Sequence, residues 1–286
     1  MRPPAVTRGL LLNNLNESLK SSPRFDWMQT TVHEDPKEIF DTLEGTLGGV
    51  LEPARGLNGY ERSMIVKRDG ETLARVFYGG CNGWPNVLAS GAQTDDVAPV
   101  VRCAWPVHEV TRMDSAQDFV SEGGYDMVRG ALVAVHESSG ISKREIESTV
   151  NGVRSRTIYL GSPSSRVQVR LYEKGMFEHQ LGNAEADAGW FRLEAQIRPT
   201  GEARRKAAEV DASEAWGFSP WTRELAAVVL QLDVERVTMQ LKREPDYMRA
   251  IEALRRQYTA TLEKALEVEG SWDAVGKLLG VGAPRG

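Results

Sequence analysis

Three segments between Arg156 and Arg198 alternate apolar and polar residues in the manner of β-strands with one buried face. In the middle segment, Val167, Val169 and Leu171 alternate with Gln168, Arg170, Tyr172 and Lys174. In the last segment, Phe191, Leu193, Ala195 and Ile197 alternate with Arg192, Glu194 and Gln196, and in the first, Ile158 and Leu160 alternate with Thr157 and Tyr159. If the segments pair in one sheet, one face is a core wall and the other carries tyrosine, arginine, lysine and glutamate.

Upstream of these segments, the pattern predicts a strand, a helix and then a meander. The strand is Phe25–Val32, and Asp35 with Pro36 begins a helix that ends near Leu47, before Gly48. Further strands are predicted at Ser63–Lys67, Leu73–Tyr78, Asn86–Ala89 and Val97–Cys103, separated by Gly, Asn and Pro.

The segment His108–Phe119 reads as a strand that places Val110, Arg112, Asp114, Ala116 and Asp118 on one face. Two carboxylates and an arginine on one face fit a solvated edge strand. They also fit a site for a hard divalent cation such as Mg²⁺ or Mn²⁺. The pattern leaves both interpretations open.

Helices are predicted in the remaining segments. Tyr125–Glu137 has apolar residues at helical spacing, and Ser142–Val150 begins with a capping box, Ser142 and Glu145. Beyond Thr200, helices are predicted from Ser219 to about Leu232, over Glu244–Val268 and over Ser271–Leu279. We therefore expect a mobile tail at 1–22, a sheet-containing domain at 23–200 and a helical region at 201–286.

Composition narrows the class of protein. The 286 residues are 41% hydrophobic and 26% charged, no apolar run reaches the length of a membrane helix, and the start lacks a secretory signal. Two cysteines make no disulfide framework, so a cytoplasmic protein is expected. The net charge is −5, yet Ser142–Lys174 holds seven Lys or Arg against three Glu. Such a local reversal suits a phosphate-bearing partner.

Several motifs occur in one order along the chain. They are G-Y-E-R-S (Gly59–Ser63), the Gly79-Gly80 turn, T-R-M-D-S-A-Q-D, T-I-Y-L-G-S-P-S-S-R, V-R-L-Y-E-K-G and W-F-R-L-E. The ordered set resembles the replication initiation factor family, which includes rolling-circle replication initiators of plasmids and filamentous phages and relaxases of some integrative elements. The resemblance covers roughly residues 24–200. Pro163 stands where the family commonly has a basic residue, and the H-x-H motif of related nucleases is absent.

The alternation of apolar and polar residues in the strand segments predicts an α+β fold with a largely antiparallel sheet, helices packed on one face, the DNA site on the other and a C-terminal helical region. The resemblance implies an enzyme in which a tyrosine nicks one strand of origin DNA, becomes linked to the 5′ phosphate and later rejoins the strand. Expected partners are single-stranded or hairpin origin DNA, a second copy of the chain, a host helicase and a polymerase, without a membrane. A divalent metal, Mg²⁺ or Mn²⁺, is the expected cofactor.

The expected nucleophile is Tyr172, because Arg170 and Lys174 lie two residues away on the same strand face. A phenol is a weak nucleophile near neutral pH, and nearby cations both lower its pKa and bind the phosphate. Tyr159 lies on the same face and stays an alternative, since both tyrosines belong to family motifs.

The expected metal ligands are Asp114 and Glu194, with Asp118 and Glu173 as further candidates. The residues expected to contact DNA are Arg112, Arg156, Ser162, Ser165, Arg166 and Arg192.

Two other classes of protein remain. A non-catalytic phage or plasmid regulator with this fold would use the polar face to bind DNA, with Tyr172 stacked on a base. A metal nuclease would use water as the nucleophile instead of tyrosine. Detection of a covalent protein–DNA adduct distinguishes the tyrosine enzyme from both.

Overall fold

The protein is built on one sheet of ten antiparallel strands. The structure is a computed structural model, and it describes residues 22–80, 83–239, 258–259 and 261–280. In chain order the strands are β1 (Arg24–Val32), β2 (Val50–Arg55), β3 (Arg62–Arg68), β4 (Glu71–Tyr78), β5 (Asn86–Ser90), β6 (His108–Val120), β7 (Lys143–Val150), β8 (Val153–Leu160), β9 (Val167–Tyr172) and β10 (Trp190–Ile197). Their order across the sheet is β2-β3-β4-β5-β1-β6-β10-β9-β8-β7. The predicted α+β class with a largely antiparallel sheet is confirmed.

The helices are α1 (Pro36–Leu47), α2 (Thr94–Ala104), α3 (Gly124–Ser139), α4 (Lys174–Gln180), α5 (Ala203–Glu209), α6 (Pro220–Leu225) and α7 (Trp272–Leu278). Two hydrophobic clusters lie between helices and sheet. One packs α1 and α2 against β1, β3, β4 and β5, and the other packs α3, α5, α6 and the turn Glu214–Phe218 against β6, β8, β9 and β10. We call the sheet face opposite these clusters the open face. Helix α4 packs on that side, with Phe177 edge-on to Tyr172.

Local signals in the sequence predicted several elements correctly. Asp35 caps α1 by accepting a hydrogen bond from the backbone N–H of Lys37 at 2.8 Å, and Pro36 occupies the first turn. The helix ends at Gly48, whose φ of 67° is in the left-handed region that glycine adopts without strain. Strands β1, β3, β4, β5, β6, β8 and β10 also lie where the alternation predicts them.

Two bulges alter which side chains reach the open face. In the β1–β6 pair, Gln29 lies opposite Arg112 but Thr30 lies opposite Val110, so Thr111 is an extra residue in β6. Val110 therefore turns into the hydrophobic core, and its predicted place beside Arg112 is wrong. Asp26 is the extra residue in β1.

The predicted strand at Val97–Cys103 is wrong, because residues 94–104 form α2. Val97, Ala98 and Val101 are buried on one side of this helix, and Asp95 and Asp96 lie in its first turn, near the positive end of the helix dipole. Pro99 and the β-branched residues disfavour a helix locally, and packing on the sheet outweighed that preference.

The predicted helix at Ser142–Val150 is also wrong, because residues 143–150 form edge strand β7. Asn151 (φ 52°) and Gly152 (φ 78°) make the tight turn of a hairpin that pairs β7 with β8 along its whole length. Glu145 does not close a capping box but accepts hydrogen bonds from Arg129 and Lys143.

The chain divides into two compact units, Met1–Gln240 and Leu241–Gly286. The segments between Ala203 and Leu230 contribute to the core of the first unit. In the second, residues 261–269 are helical and Ser271 caps α7, as predicted. The predicted tail at 1–22 and the helix from Glu244 fall largely outside the described residues. Within the described parts of the chain, no helix is long and apolar enough to cross a bilayer.

Candidate active site

The registers of β6, β10, β9 and β8 place most of the predicted site residues on one area of the open face. Glu194 in β10 lies between Arg170 in β9 and Ala116 in β6, and Arg192 is opposite Tyr172. Tyr159 in β8 is the cross-strand partner of Arg170. Cross-strand partners have their Cβ atoms about 5 Å apart, so these side chains are neighbours.

Arg170 links the two tyrosines to a carboxylate. Its Nη2 donates a hydrogen bond to Glu194 Oε2 at 2.8 Å, and its Cζ lies 4.8 Å from the ring centroid of Tyr172. A second arginine, Arg144 in β7, lies over the ring of Tyr159 with Cζ 4.6 Å from its centroid. Each candidate nucleophile thus has a guanidinium against its ring.

Tyr172 is largely enclosed, with 9% of its surface exposed. The ring of Phe177 meets it edge-on with centroids 6.5 Å apart. Burial raises the pKa of Tyr172 to about 12, although the positive charges of Arg192 and Arg170 act against that rise. Tyr159 is more accessible, since it is half-buried.

Asp114 and Glu194 are the two buried carboxylates of the open face, and each side chain is only 3% exposed. Asp114 accepts two hydrogen bonds from Arg112, from Nε at 2.9 Å and from Nη2 at 2.5 Å. Burial raises the pKa of Glu194 to about 7; Arg170 opposes the rise and the charge of Asp114 adds to it. The two carboxylates are therefore close enough to repel each other.

The donor chemistry of this pair fits a hard divalent cation. Two buried carboxylates that repel each other would be stabilised by a positive ion, and carboxylate oxygens are the ligands that Mg²⁺ and Mn²⁺ prefer. The described residues contain no group of three or more His, Cys, Asp or Glu side chains arranged to hold a metal. The protein would supply two ligands here.

Asp118 belongs to a separate cluster on the same face. Its two oxygens accept hydrogen bonds from Arg192 Nε and Nη2, each at 2.8 Å, and from the indole of Trp190 at 2.8 Å. Burial alone would raise the pKa of Asp118, but the hydrogen bonds and charge of Arg192 lower it below its ordinary value. Arg192 also donates to Asp26 at 2.9 Å.

Lys174 is not on the strand face beside Tyr172, because β9 ends at Tyr172 and Lys174 begins α4. In the first turn of α4, Gly175 packs so closely against Asp187 that a Cβ would lie 1.8 Å from the Asp187 carbonyl oxygen, so only glycine fits there. Lys174 pairs with Glu178 at 2.5 Å, and its Nζ lies 5.5 Å from the ring centroid of Trp190. The second cation near Tyr172 is Arg192 instead.

Arg156 lies on the side of the sheet that the helices cover. Its guanidinium donates to Glu173 at 2.7 Å and to Asp126 of α3 at 2.9 Å, and it lies over the ring of Tyr125. Glu173 is therefore occupied away from Asp114 and Glu194. The sheet therefore separates Arg156 from Tyr159 and Tyr172, which lie on the open face.

The serine-rich turn between β8 and β9 lines a separate cavity of about 390 Å³. Ser162, Ser165 and Arg166 contribute to its lining, together with Trp221 and Met239. The Ser165 hydroxyl donates to the carbonyls of Ser162 and Val167, both at 2.7 Å, so it also closes the turn.

Sequence reasoning missed Asp26, Trp27, Arg144 and Trp190. Trp27 lies opposite Asp114, and the Cζ of Arg112 is 4.2 Å from its ring centroid. Because Trp27 and Met28 are consecutive in β1, their side chains lie on opposite faces of the sheet. Recognising Met28 as a core residue would therefore have placed Trp27 on the open face. The place of Asp26 depended on the bulge, and that of Arg144 on a strand predicted as a helix.

Comparison with known proteins identifies a fold. No protein-family model matches the chain, and no curated protein matches it. Among solved structures, it is similar to a rolling circle replication initiator protein from Geobacillus stearothermophilus, with a TM-score of 0.51 and 23% identity over 79% of this chain and 90% of that one. The chain has the fold of that structure, which agrees with the predicted α+β fold.

Proposed function

We propose that this protein is a rolling-circle DNA replication initiator that nicks and rejoins one strand of origin DNA through a 5′-phosphotyrosine. One arrangement on the open face carries the proposal. Arg170 has Tyr159 as its cross-strand neighbour, lies against the ring of Tyr172 in its own strand and binds Glu194. Such a transfer uses a nucleophile and a cation that binds the phosphate, and the acidic pair would hold a divalent metal.

In the proposed nicking step, the phenolic oxygen of a tyrosine attacks the scissile phosphorus. The bond from phosphorus to the 3′ oxygen breaks, the phenol loses its proton to solvent, and the departing 3′ oxygen takes up a proton. The product is a tyrosine ester of the 5′ phosphate and a free 3′ hydroxyl, and the reverse reaction rejoins a strand. Arg170 would orient the phosphate and balance the charge that develops on it.

We assign the attack to Tyr172, because the Cζ of Arg170 lies 4.8 Å from its ring centroid and Arg192 is its cross-strand neighbour. Its enclosure and raised pKa count against easy ionisation, so the cations beside it are essential to the assignment. Tyr159 is the alternative because it is more accessible and Arg144 covers its ring.

Asp114 and Glu194 would hold the divalent metal, which when bound supplies a Lewis acid for the phosphate. The two side chains lie on adjacent strands, buried and repelling each other, which favours cation binding. Glu194 must lose its proton to bind a cation, so metal affinity should rise with pH up to about 7.

The decisive experiment incubates a labelled strand of the replicon's own origin with Mg²⁺ or Mn²⁺ and separates the products on a denaturing gel. A protein–DNA adduct is expected for the wild type and for Tyr159→Phe, and none for Tyr172→Phe, which should still bind the strand. Mass spectrometry of the nucleotide-linked peptide identifies the tyrosine. An adduct on the peptide of Tyr159 would move the assignment to that residue and leave the reaction class intact.

A non-catalytic DNA-binding regulator is the second candidate. The observation in its favour is that arginines pair with Asp114, Asp118 and Glu194, so these carboxylates would repel DNA less than free ones. Strand cleavage without an adduct would instead indicate a nuclease that uses water. Binding without any cleavage would favour the regulator.

The proposed initiator acts as a homodimer and brings a host helicase and polymerase to the origin, as the motif resemblance implies. Light scattering over a range of protein concentrations tests the dimer. A monomer at every concentration would contradict it.

A further inference from the structure

Two arginines of the open face share one arrangement. The guanidinium of Arg112 lies over Trp27 at 4.2 Å and binds Asp114, and the guanidinium of Arg170 lies over Tyr172 at 4.8 Å and binds Glu194. In each case an aromatic ring supports the guanidinium and a buried carboxylate fixes its orientation. The Arg170 pair belongs to the reacting centre proposed above. In the other pair Asp114 is a proposed metal ligand of that centre, whereas Arg112 itself is given no role in the transfer.

Arg112 is accessible although its partner is not. Its side chain is 27% exposed, and that of Asp114 is 3% exposed. Asp114 takes the Nε–Nη2 edge, which is the edge that would otherwise bind a phosphate with two hydrogen bonds. Trp27 covers one face of the guanidinium, so the surface left for a ligand includes the opposite face.

A planar, weakly hydrated guanidinium stacks well on nucleic-acid bases. A base within a duplex has neighbours on both faces, so only an unpaired or extruded base can stack on such a group. Arg198 lies near enough to Arg112 for their charges to interact, which adds positive charge for the neighbouring phosphates. The chemistry of the pair therefore matches single-stranded DNA.

Building on the proposed function, we propose that Arg112, supported by Trp27, is a stacking subsite for an unpaired base of the bound strand. Strand β10 separates β6 from β9, so the subsite is about 10 Å from the Tyr172 strand across the sheet. The subsite would position the strand next to the reacting centre without taking part in the transfer.

The test compares two ligands of equal length and charge, an oligothymidylate and its fully abasic analogue, by fluorescence anisotropy at one fixed salt concentration. The ratio of their affinities measures the contribution of the bases. Arg112→Lys keeps the charge and removes the planar group, so it should weaken oligothymidylate binding about tenfold and leave abasic binding nearly unchanged. Trp27→Leu, which removes the supporting ring, should shift the ratio in the same direction.

Two controls separate this role from a general effect on structure. Trp27→Phe keeps a ring beneath Arg112 and should keep the ratio; it sacrifices no hydrogen bond, because the buried Nε1 of Trp27 has no partner among the described residues. Arg75→Lys is the second control. The Cζ of Arg75 lies 5.1 Å from the ring centroid of Phe77, its hydrogen-bond partners are neutral, and its strand β4 is three strands from β6. It too should keep the ratio.

An unchanged ratio in Arg112→Lys, or equal weakening of both ligands, would overturn the stacking role, as would a wild type that binds neither ligand. If Arg112→Lys does not fold, the Trp27→Leu and Trp27→Phe pair decides the same question. The adduct assay reports separately on the enzyme. An adduct with an unchanged ratio would leave the initiator standing without this subsite, and a changed ratio without an adduct would leave a base-stacking DNA-binding protein.

Discussion

The two halves of the sheet are built alike and bury different chemistry. The half made of β2, β3, β4, β5 and β1 and the half made of β6, β10, β9, β8 and β7 each have five antiparallel strands with helices on one face. The first half buries neutral polar side chains, Thr30, Ser63 and Asn86. The second also buries neutral ones, such as Ser115 and Gln117, but adds three charged side chains, Asp114, Arg192 and Glu194.

This difference separates the needs of the fold from those of the site. Moving an ion out of water costs several kcal/mol, and an ion pair regains that cost only with good geometry and further hydrogen bonds. The first half shows that the same architecture forms without buried charges. The charges of the second half therefore support the proposed site, since perturbed titratable groups cluster at active sites.

The largest expected effect is on nicking. Asp114→Asn and Glu194→Gln keep the shape of each side chain but remove the charge that would hold a cation, so each should lower adduct formation roughly 100-fold or more. Both variants should still bind the DNA strand. Chelation of divalent ions should abolish adduct formation by the wild type. The matched control in the first half is Glu52→Gln, which alters an exposed carboxylate paired with Lys67 at 2.6 Å. Full activity of both variants with Mg²⁺ would show that the metal ligands are other residues.

The next effect is on stability. Arg192→Met removes the cation that Asp26 and Asp118 share, and the Arg192 side chain is only 6% exposed. Asp26 keeps Arg24 at 3.0 Å, but Asp118 keeps only the indole N–H of Trp190. We expect the free energy of unfolding to fall by about 3–5 kcal/mol, measured by chemical denaturation. The matched variant in the first half is Arg75→Met. It leaves two neutral acceptors without their donor, Ser63 Oγ and the Arg55 carbonyl, and should lower the free energy of unfolding by about 1 kcal/mol. Equal losses would remove the distinction between the halves.

A third effect is on the pH dependence of stability. Glu194 binds its proton more tightly in the folded state, with a pKa of about 7, than in the unfolded chain. Its stabilising contribution is therefore complete below the unfolded pKa and lost as pH rises through about 7. As pH rises from the unfolded pKa of Glu194 to about 7, the free energy of unfolding of Glu194→Gln should therefore increase relative to that of the wild type. The expected gain is roughly 3 kcal/mol, at about 1.4 kcal/mol per pKa unit.

Asp118→Asn is the control of opposite sign. The pKa of Asp118 is lowered on folding, so its contribution is present above the unfolded pKa and lost as pH falls through the folded one. Denaturation curves at several pH values would show both behaviours. A Glu194→Gln difference that does not change with pH would contradict the raised pKa.

The smallest effect should be the same in both halves. The β3–β4 turn has Asp69 and Gly70 at φ 53° and 83°, and the β7–β8 turn has Asn151 and Gly152 at φ 52° and 78°. Neither glycine has another atom close to where a Cβ would lie, so only the backbone conformation opposes a side chain. Gly70→Ala and Gly152→Ala should each cost about 1 kcal/mol in unfolding free energy. A much larger loss in one variant would show that its hairpin does more than close a turn.

The amino-acid sequence by itself determined the elements whose signals are local. The cap at Asp35, Pro36 and the stop at Gly48 define α1. The alternation in β9 and β10 assigned Arg170, Tyr172, Arg192 and Glu194 to the polar face, because successive side chains of a strand point to opposite faces. The fold class followed from the same patterns.

Only the tertiary structure decided what depends on contacts between distant segments. The order of strands placed β6 beside β10 and so brought Asp114 near Glu194, and the bulges at Asp26 and Thr111 set which β1 and β6 side chains share the open face. Packing on the sheet favours a helix at residues 94–104, and β9 ends at Tyr172, so that Lys174 begins α4. Local preferences differ by less than about 1 kcal/mol per residue, and burying an apolar side chain contributes more than that, so long-range packing settled these points.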